Sequence, residues 1–251
     1  VSTEPLVSVV VTGYRRPSHL RRTLESFLRF NTHPNVELVL ADDGSPPDEQ
    51  AEMRKLPFDT FVMSDRNRGL GANTNAGLRA ARGEFILHLQ DDWRCDGPAG
   101  FLEQAVAVMR ERPTIGLVRL RWPQAGLRYT PWTSRSGLSV RIYASPPASR
   151  EDFVYTDNPH VKSRAFVDFI GPYAERRKMW KTERDMRDRF NAQTRFEAAF
   201  IEGLHCFEHI GEDASFNRPS MRARLSARLA RLPLLGRAVM AYRSSKQKLG
   251  H

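Results

Sequence analysis

The chain has 251 residues, 40% hydrophobic and 27% charged, a balance that fits one large folded domain with an appendage and excludes global disorder. No run approaches ~18 consecutive apolar residues, which excludes a spanning helix, and two cysteines, Cys95 and Cys206, are too few for a disulfide framework or a thiolate zinc site. The net charge of +10 would suit a nucleic-acid binder, but nine Lys and Arg and no acid fall after Asn217, so residues 1–217 carry only about +1.

In chain order, Val7–Thr12 is β-branched at every position but Ser8, the mark of a strand buried on both faces. Pro17 opens a helical pattern with Leu20, Leu24, Phe27 and Leu28 on one face. A second apolar run, Val36–Ala41, ends in the turn signal Asp42-Asp43-Gly44-Ser45. Phe61–Met63 reads as a short strand, Leu70–Arg82 as a small-residue helix stopped by Gly83, and Phe85–Leu89 as a strand ending in Gln90-Asp91-Asp92-Trp93. A helix over Phe101–Arg112 and a strand over Ile115–Arg121 follow. This alternation predicts an α/β fold, an open and mostly parallel sheet with helices on both faces, whose ligands sit beyond the carboxyl ends of the strands. Thr12-Gly13-Tyr14, Asp42-Asp43 and Asp91-Asp92 fall at those ends. Alternation is lost from Trp122 to Phe169, with strand-like pieces such as Leu138–Tyr143, and helix returns over Tyr173–Phe190.

Adjacent carboxylates repel and desolvate poorly, so they need a cation or hydrogen-bond donors. A divalent metal bridging to a diphosphate would balance Asp91-Asp92; capping of the following turn is the plainer alternative, above all for Asp42-Asp43. In Asn67–Gly77 the glycines do not fit a dinucleotide fingerprint, and the stretch reads as a helix start that approaches a nucleotide closely, or as a tightly packed turn. Trp93, Trp122, Tyr129 and Trp132 are candidates for stacking on an acceptor sugar, with Trp93 favoured by its place beside the acidic pair.

Val7–Tyr14, Asp42–Ser45, the spaced Asn67, Gly69, Gly71, Asn75 and Gly77, then Ala81-x-Gly83-Glu84 and Leu89–Asp92, occur in that order. Together they resemble the nucleotide-sugar half of a family 2 glycosyltransferase with a GT-A, Rossmann-like fold, well over residues 6–120 and thinly to about residue 217. The resemblance implies that Thr12, Tyr14, Asp42 and Asp43 hold the base and ribose, that Asn67, Gly71, Thr74 and Asn75 line the nucleotide-sugar site, and that Asp92 holds Mg²⁺ or Mn²⁺ with Asp91 near the ribose or metal. Gln90 stands where many members have Asp, and Asn73-Thr74 where Ala-Arg is frequent. Thr182-Glu183-Arg184-Asp185 with Arg189 matches the helix that bears the family's general base, giving Glu183 first and Asp185 second. His209, ahead of Gly211 and Ser215, matches a residue that closes on the metal or diphosphate; a structural His is the plain alternative. The expected activity is inverting, metal-dependent transfer from a nucleoside-diphosphate sugar to an unknown hydroxyl acceptor. The rivals are a scaffold with a decayed site, suggested by Gln90 and Thr74, and a nucleotidyltransferase, for which Gly13–Pro17 is too short a loop.

The expected organisation is a nucleotide-sugar half over 1–121, an acceptor and base half over 122–217, and a basic tail over 218–251. Met221, Leu225, Leu229 and Leu232, interleaved with arginines, form an amphipathic helical pattern that reads as a membrane-surface or subunit contact and not as nucleic-acid binding. Val1–Leu6 lacks the basic start of a secretory signal, and the cysteine usage points to the cytoplasm, with docking on an anionic inner membrane face through the tail. Only 6 of 39 basic residues are lysine, a composition that points to a GC-rich bacterial genome.

Overall fold

The computed structural model describes residues 4–123, 126–144, 154–176 and 178–211; the amphipathic pattern of the tail lies outside them. A compact unit reaches to Ile210. Its elements are β1 (Val7–Gly13), α1 (Pro17–Phe30), β2 (Val36–Asp42), α2 (Pro47–Met53), β3 (Thr60–Met63), α3 (Leu70–Ala80), β4 (Phe85–Gln90), β5 (Trp93–Cys95), α4 (Phe101–Glu111) and β6 (Ile115–Arg119), followed by β7 (Thr130–Thr133), β8 (Ser139–Tyr143), β9 (His160–Ser163), α5 (Arg164–Ile170), α6 (Met179–Ala192), β10 (Glu197–Ile201) and β11 (Phe207–His209). None of the described helices is long and apolar enough to cross a membrane.

Nine strands form one sheet in the order β3-β2-β1-β4-β9-β6-β10-β8-β7, and β5 pairs with β11 in a separate ribbon. In the large sheet β8 and β9 run against the other strands. The sheet is therefore mostly parallel, as expected. The two halves of the sequence share it, since β9 lies between β4 and β6 and β10 joins β6 to β8. Because strand side chains alternate between faces, β1 serves two cores. Val7, Val9 and Val11 meet Leu20, Leu24, Phe27 and Phe101 on one side, while Val10 shares the other with Leu78, Phe166, Met186 and Phe190.

Three elements have a boundary that differs from the sequence reading by two residues or more. The helix expected over Leu70–Arg82 ends at Ala80, because Arg164 reaches in from α5 to the carbonyls of Leu78, Ala81 and Gly83. The strand expected to reach Arg121 ends at Arg119, where the Leu120 N–H turns to the Pro159 carbonyl. The helix expected over Tyr173–Phe190 starts only at Met179. Asn75 holds both the N–H and the carbonyl of Tyr173 through its side-chain amide, which removes Tyr173 from any helical ladder. Within the irregular stretch from Trp122 to Phe169, β7, β9 and the start of α5 have no counterpart in the sequence pattern.

A polar layer lies inside the α3–α6 face. His88 on β4 stacks on His160 of β9 at 5.1 Å and on Tyr173 at 6.2 Å, and Lys162 donates to the Tyr173 hydroxyl. Burial, helped by Lys162, pushes the His160 imidazole down to about 3 and that of His88 in the same direction. Between pH 6.5 and about 3 the unfolded chain binds a proton at His160 that the folded chain refuses. Its stabilising share is thus full above 6.5 and is lost on acidification, by roughly 1.4 kcal/mol per pH unit. Asp91 and Asp157, whose pKa values burial raises, act in the opposite direction, so the test is differential. His160→Phe should lose less melting temperature than the parent between pH 7 and 5; equal losses would contradict a buried neutral imidazole.

Candidate active site

The carboxyl ends of β1 and β4 converge on the turn that bears Asp91 and Asp92. Asp91 is anchored by its backbone, its N–H donating to the Thr12 carbonyl at 2.9 Å and its carbonyl accepting from the Thr23 hydroxyl at 2.8 Å. Its side chain is 0% exposed. It accepts from the Tyr14 N–H at 3.2 Å and pairs with the Arg16 guanidinium. Burial pushes the Asp91 carboxyl up to about 7, against the pull of Arg16 and with a further push from Asp92. Gly13 packs closely here, since a Cβ on it would stand 3.3 Å from Asp91 Oδ2.

Asp92 is 5% exposed. Its Oδ2 takes Arg16 Nη1 at 2.8 Å and lies 3.2 Å from His209 Nε2, while Oδ1 is buried with no hydrogen-bond partner. The β5–β11 ribbon makes this meeting, pairing His209 with Trp93 across the ladder, and the Ile210 N–H donates to the Asp92 carbonyl. His209 thus reaches Asp92 of the acidic pair.

These residues fit a divalent cation. An unpartnered buried carboxylate oxygen beside an imidazole is a donor set suited to Mn²⁺, and to Mg²⁺ less well. Among the described residues no group of three or more His, Cys, Asp and Glu is set to hold a metal. Asp92 and His209 are the residues that would hold such a cation.

The second-strand acids serve the backbone. Asp42 is fully buried and accepts from the Ser45 N–H and hydroxyl and from Gln50 Nε2. Asp43 accepts from the N–H groups of Arg68 and Gly69 at 2.7 and 2.9 Å, which fixes the entry to α3, where Gly69 sits at φ +88°. The turn-holding alternative is thus present at both positions. Thr12 is buried and donates to the Leu89 carbonyl, and Asn67 is exposed on the loop before α3.

Three expectations for α3 and one for β5 change. Gly71 faces the loop before α6 and not an open nucleotide cleft, since a Cβ there would stand 2.2 Å from the Ala174 carbonyl and 3.3 Å from Thr182 Cγ2. Asn75 is committed to Tyr173 and to Glu175 Oε1. Thr74 is fully buried with its hydroxyl unpartnered. Trp93 is 5% exposed, packed against His209 at 4.9 Å and covered by the Arg121 guanidinium at 4.9 Å; it walls the acidic pair and offers no open stacking face. Gly71→Ala should separate α3 from the Tyr173–Arg176 segment at a cost of about 1–3 kcal/mol, read as a lower melting temperature. An unchanged melting temperature would mean that this contact carries no packing.

Glu183 and Asp185 ride on α6, which packs against α3 at the Gly71–Thr182 contact. Arg189, in the last turn of α6, ties that helix to the end of α5 by donating to the carbonyls of Ile170 and Pro172, and binds Asp185 at 2.9 Å. Glu183 has no ion pair among the described residues, and its Oε1 accepts from the Asp157 N–H at 3.2 Å. Arg16, Asp157, His88, His160 and Lys162 are not among the candidates that the sequence offers. An Arg just before a helix-opening Pro was the one visible signal; the others come from the irregular stretch or from inside a strand that reads as core.

A mostly parallel sheet with an acidic turn at the end of β4, closed by a histidine from a late ribbon, defines a GT-A glycosyltransferase domain. The model of the family "Glycosyl transferase family 2" matches residues 8–199, and the chain belongs to that family. It is 42% identical over 93 residues to "Putative glycosyltransferase EpsH" of Bacillus subtilis, covering 36% of this chain and 27% of that protein. It is 33% identical over 92 residues to the chondroitin synthase of Escherichia coli, covering 35% and 13%. The chain spans well under half of either relative. Among solved structures, the mannosyltransferase PcManGT of Pyrobaculum calidifontis, in complex with GDP-Man and Mn²⁺, aligns with a TM-score of 0.63 at 16% identity over 91% of this chain and 62% of that one. The S. aureus TarS fragment in complex with UDP-GlcNAc aligns with a TM-score of 0.60 at 19% identity, covering 89% and 65%. At such identities these two report the fold.

Proposed function

We propose that the protein is an inverting, metal-dependent glycosyltransferase that moves a sugar from a nucleoside-diphosphate donor to an acceptor hydroxyl. The observation that carries this reading is the Asp92–His209 contact at 3.2 Å beside an Asp92 oxygen without a partner among the described residues, which together offer two donors to a cation. A divalent cation bound there supplies charge neutralisation for the diphosphate leaving group. Thr12, Tyr14, Asp42, Asp43 and Asn67 form the nucleoside side of the cleft. Asp42 and Asp43 shape it through the backbone turns that they hold. Glu183 accepts the proton of the acceptor hydroxyl as that oxygen attacks the anomeric carbon, and the Asp157 N–H orients the receiving carboxylate. Asp185, bound to Arg189, supports the helix.

The test is consumption of UDP-GlcNAc and GDP-mannose, the donors held by the two structural neighbours, with and without Mn²⁺. Mn²⁺-dependent release of the nucleoside diphosphate supports the reading, whereas nucleotide binding without turnover across a wider donor and acceptor panel supports a scaffold. The tail after Asn217 is proposed to bring the enzyme to an anionic membrane surface, at roughly 1 kcal/mol per basic residue near the lipid. Full-length protein should cosediment with anionic vesicles at low salt and less as salt rises, and a chain ending at Asn217 should not. Equal binding by both would remove the tail from the reading.

A further inference from the structure

The acidic pair already holds a cation of the protein's own. Arg16 lies directly before α1, is 16% exposed, and bonds both carboxylates, Nη1 to Asp92 Oδ2 at 2.8 Å and Nη2 to Asp91 Oδ1. Its aim is set by a strained turn. Arg15 sits in the left-handed region at φ +57°, a conformation that costs a non-glycine residue of order 1 kcal/mol or more and persists only where neighbours enforce it. The enforcement is visible: the Arg15 N–H donates to Ser45 Oγ at 2.7 Å, and Ser45 in turn donates to the buried Asp42. The second-strand Asp42 therefore acts at the metal motif through the backbone, by holding the turn that points Arg16 at Asp91 and Asp92.

A guanidinium and a divalent cation cannot both sit on Asp92 Oδ2 without strong repulsion. Nor can Arg16 simply leave, because a largely buried guanidinium without a counter-charge is costly. A nucleoside diphosphate resolves both demands. It brings negative charge as the metal arrives, and its oxygens match the planar fork of an arginine. Arg16 Nε is buried and has no partner among the described residues, so the head group is not fully engaged in this arrangement.

We propose that Arg16 is a ligand-binding residue that stands in for the metal on the Asp91–Asp92 pair and gives up Asp92 only when cation and donor diphosphate enter together, then binding the diphosphate. The consequence is positive coupling between the two ligands, with metal alone bound weakly and metal plus diphosphate bound tightly. Coupling of this kind is reciprocal. The inference rests on the reading of Asp92 as a metal ligand.

The test measures binding and not turnover. Mn²⁺ is titrated into the full chain by electron paramagnetic resonance without nucleotide, and UDP and GDP affinities are measured by calorimetry with and without Mn²⁺. In the parent, Mn²⁺ should strengthen diphosphate binding at least about tenfold, a coupling of ordinary size. In Arg16→Met, Mn²⁺ alone should bind more tightly than in the parent, while diphosphate binding at saturating Mn²⁺ weakens and the coupling falls towards one. Arg16→Lys, which can face one carboxylate but not both, should lie between them and serves as the readout if Arg16→Met does not fold. A structural role alone would weaken every ligand and would not tighten Mn²⁺. Unchanged or weaker binding of Mn²⁺ alone in both variants would overturn the proposal. Asp92→Ala separates the two failures. If it binds Mn²⁺ as the parent does, the metal-ligand reading fails and takes the Arg16 proposal with it. If it loses Mn²⁺ while the Arg16 variants keep full coupling, only the Arg16 proposal fails.

Discussion

Asp92→Ala should lower transfer at least about 10³-fold, the rate equivalent of the several kcal/mol that a Lewis-acid cation contributes to a charged transition state. The expectation follows from the position of this carboxylate. It is touched by both Arg16 and His209, and its second oxygen has no partner among the described residues. Loss of the side chain leaves His209 alone to hold a cation and leaves Arg16 on Asp91. The fold should survive, because the turn is held by backbone contacts that the substitution spares, Asp91 N–H to Thr12 and Ile210 N–H to the Asp92 carbonyl. Calorimetry gives the check: the Mn²⁺-dependent part of UDP or GDP affinity should vanish in the variant. Equal affinities for variant and parent in the presence of Mn²⁺ would exclude Asp92 as a ligand.

Glu183→Gln should reduce turnover by about 10²–10⁴-fold with donor affinity little changed, the range for loss of a general base. Gln keeps an oxygen for the Asp157 N–H, so the loop contact at 3.2 Å persists and the effect isolates the missing proton acceptor. Asp185→Asn should act differently. It breaks the 2.9 Å bridge to Arg189, the residue that ties α6 to Ile170 and Pro172, so stability should fall by about 1 kcal/mol or less, as for a partly exposed pair, with a modest change in rate. Steady-state rates and thermal unfolding of the two variants distinguish the roles. A larger rate loss in Asp185→Asn would move the base two residues along the helix, and parental rates in both would place it on another element.

The sequence by itself determined the family resemblance, the strand and helix alternation to β6 and the polar ends of β1, β2 and β4. These are local signals. A buried parallel strand needs a continuous apolar run such as Val7–Thr12, and a strand-end acidic pair is visible wherever it falls. His209 was reachable through its motif, although its contact with Asp92, 117 residues away, exists only because β11 pairs with β5. The tertiary structure alone decided what the polar residues touch. Asp42 and Asn75 look alike in sequence as polar residues expected near a nucleotide, yet folding assigns one to the Ser45 turn and the other to Tyr173. It also placed β9 between β4 and β6, built the layer of His88, His160 and Lys162, and closed Arg121 over Trp93. Neither periodicity nor motif spacing carries such assignments, because a hydrogen-bond partner is chosen by proximity across the folded chain and by the high cost of leaving a buried polar group unpaired.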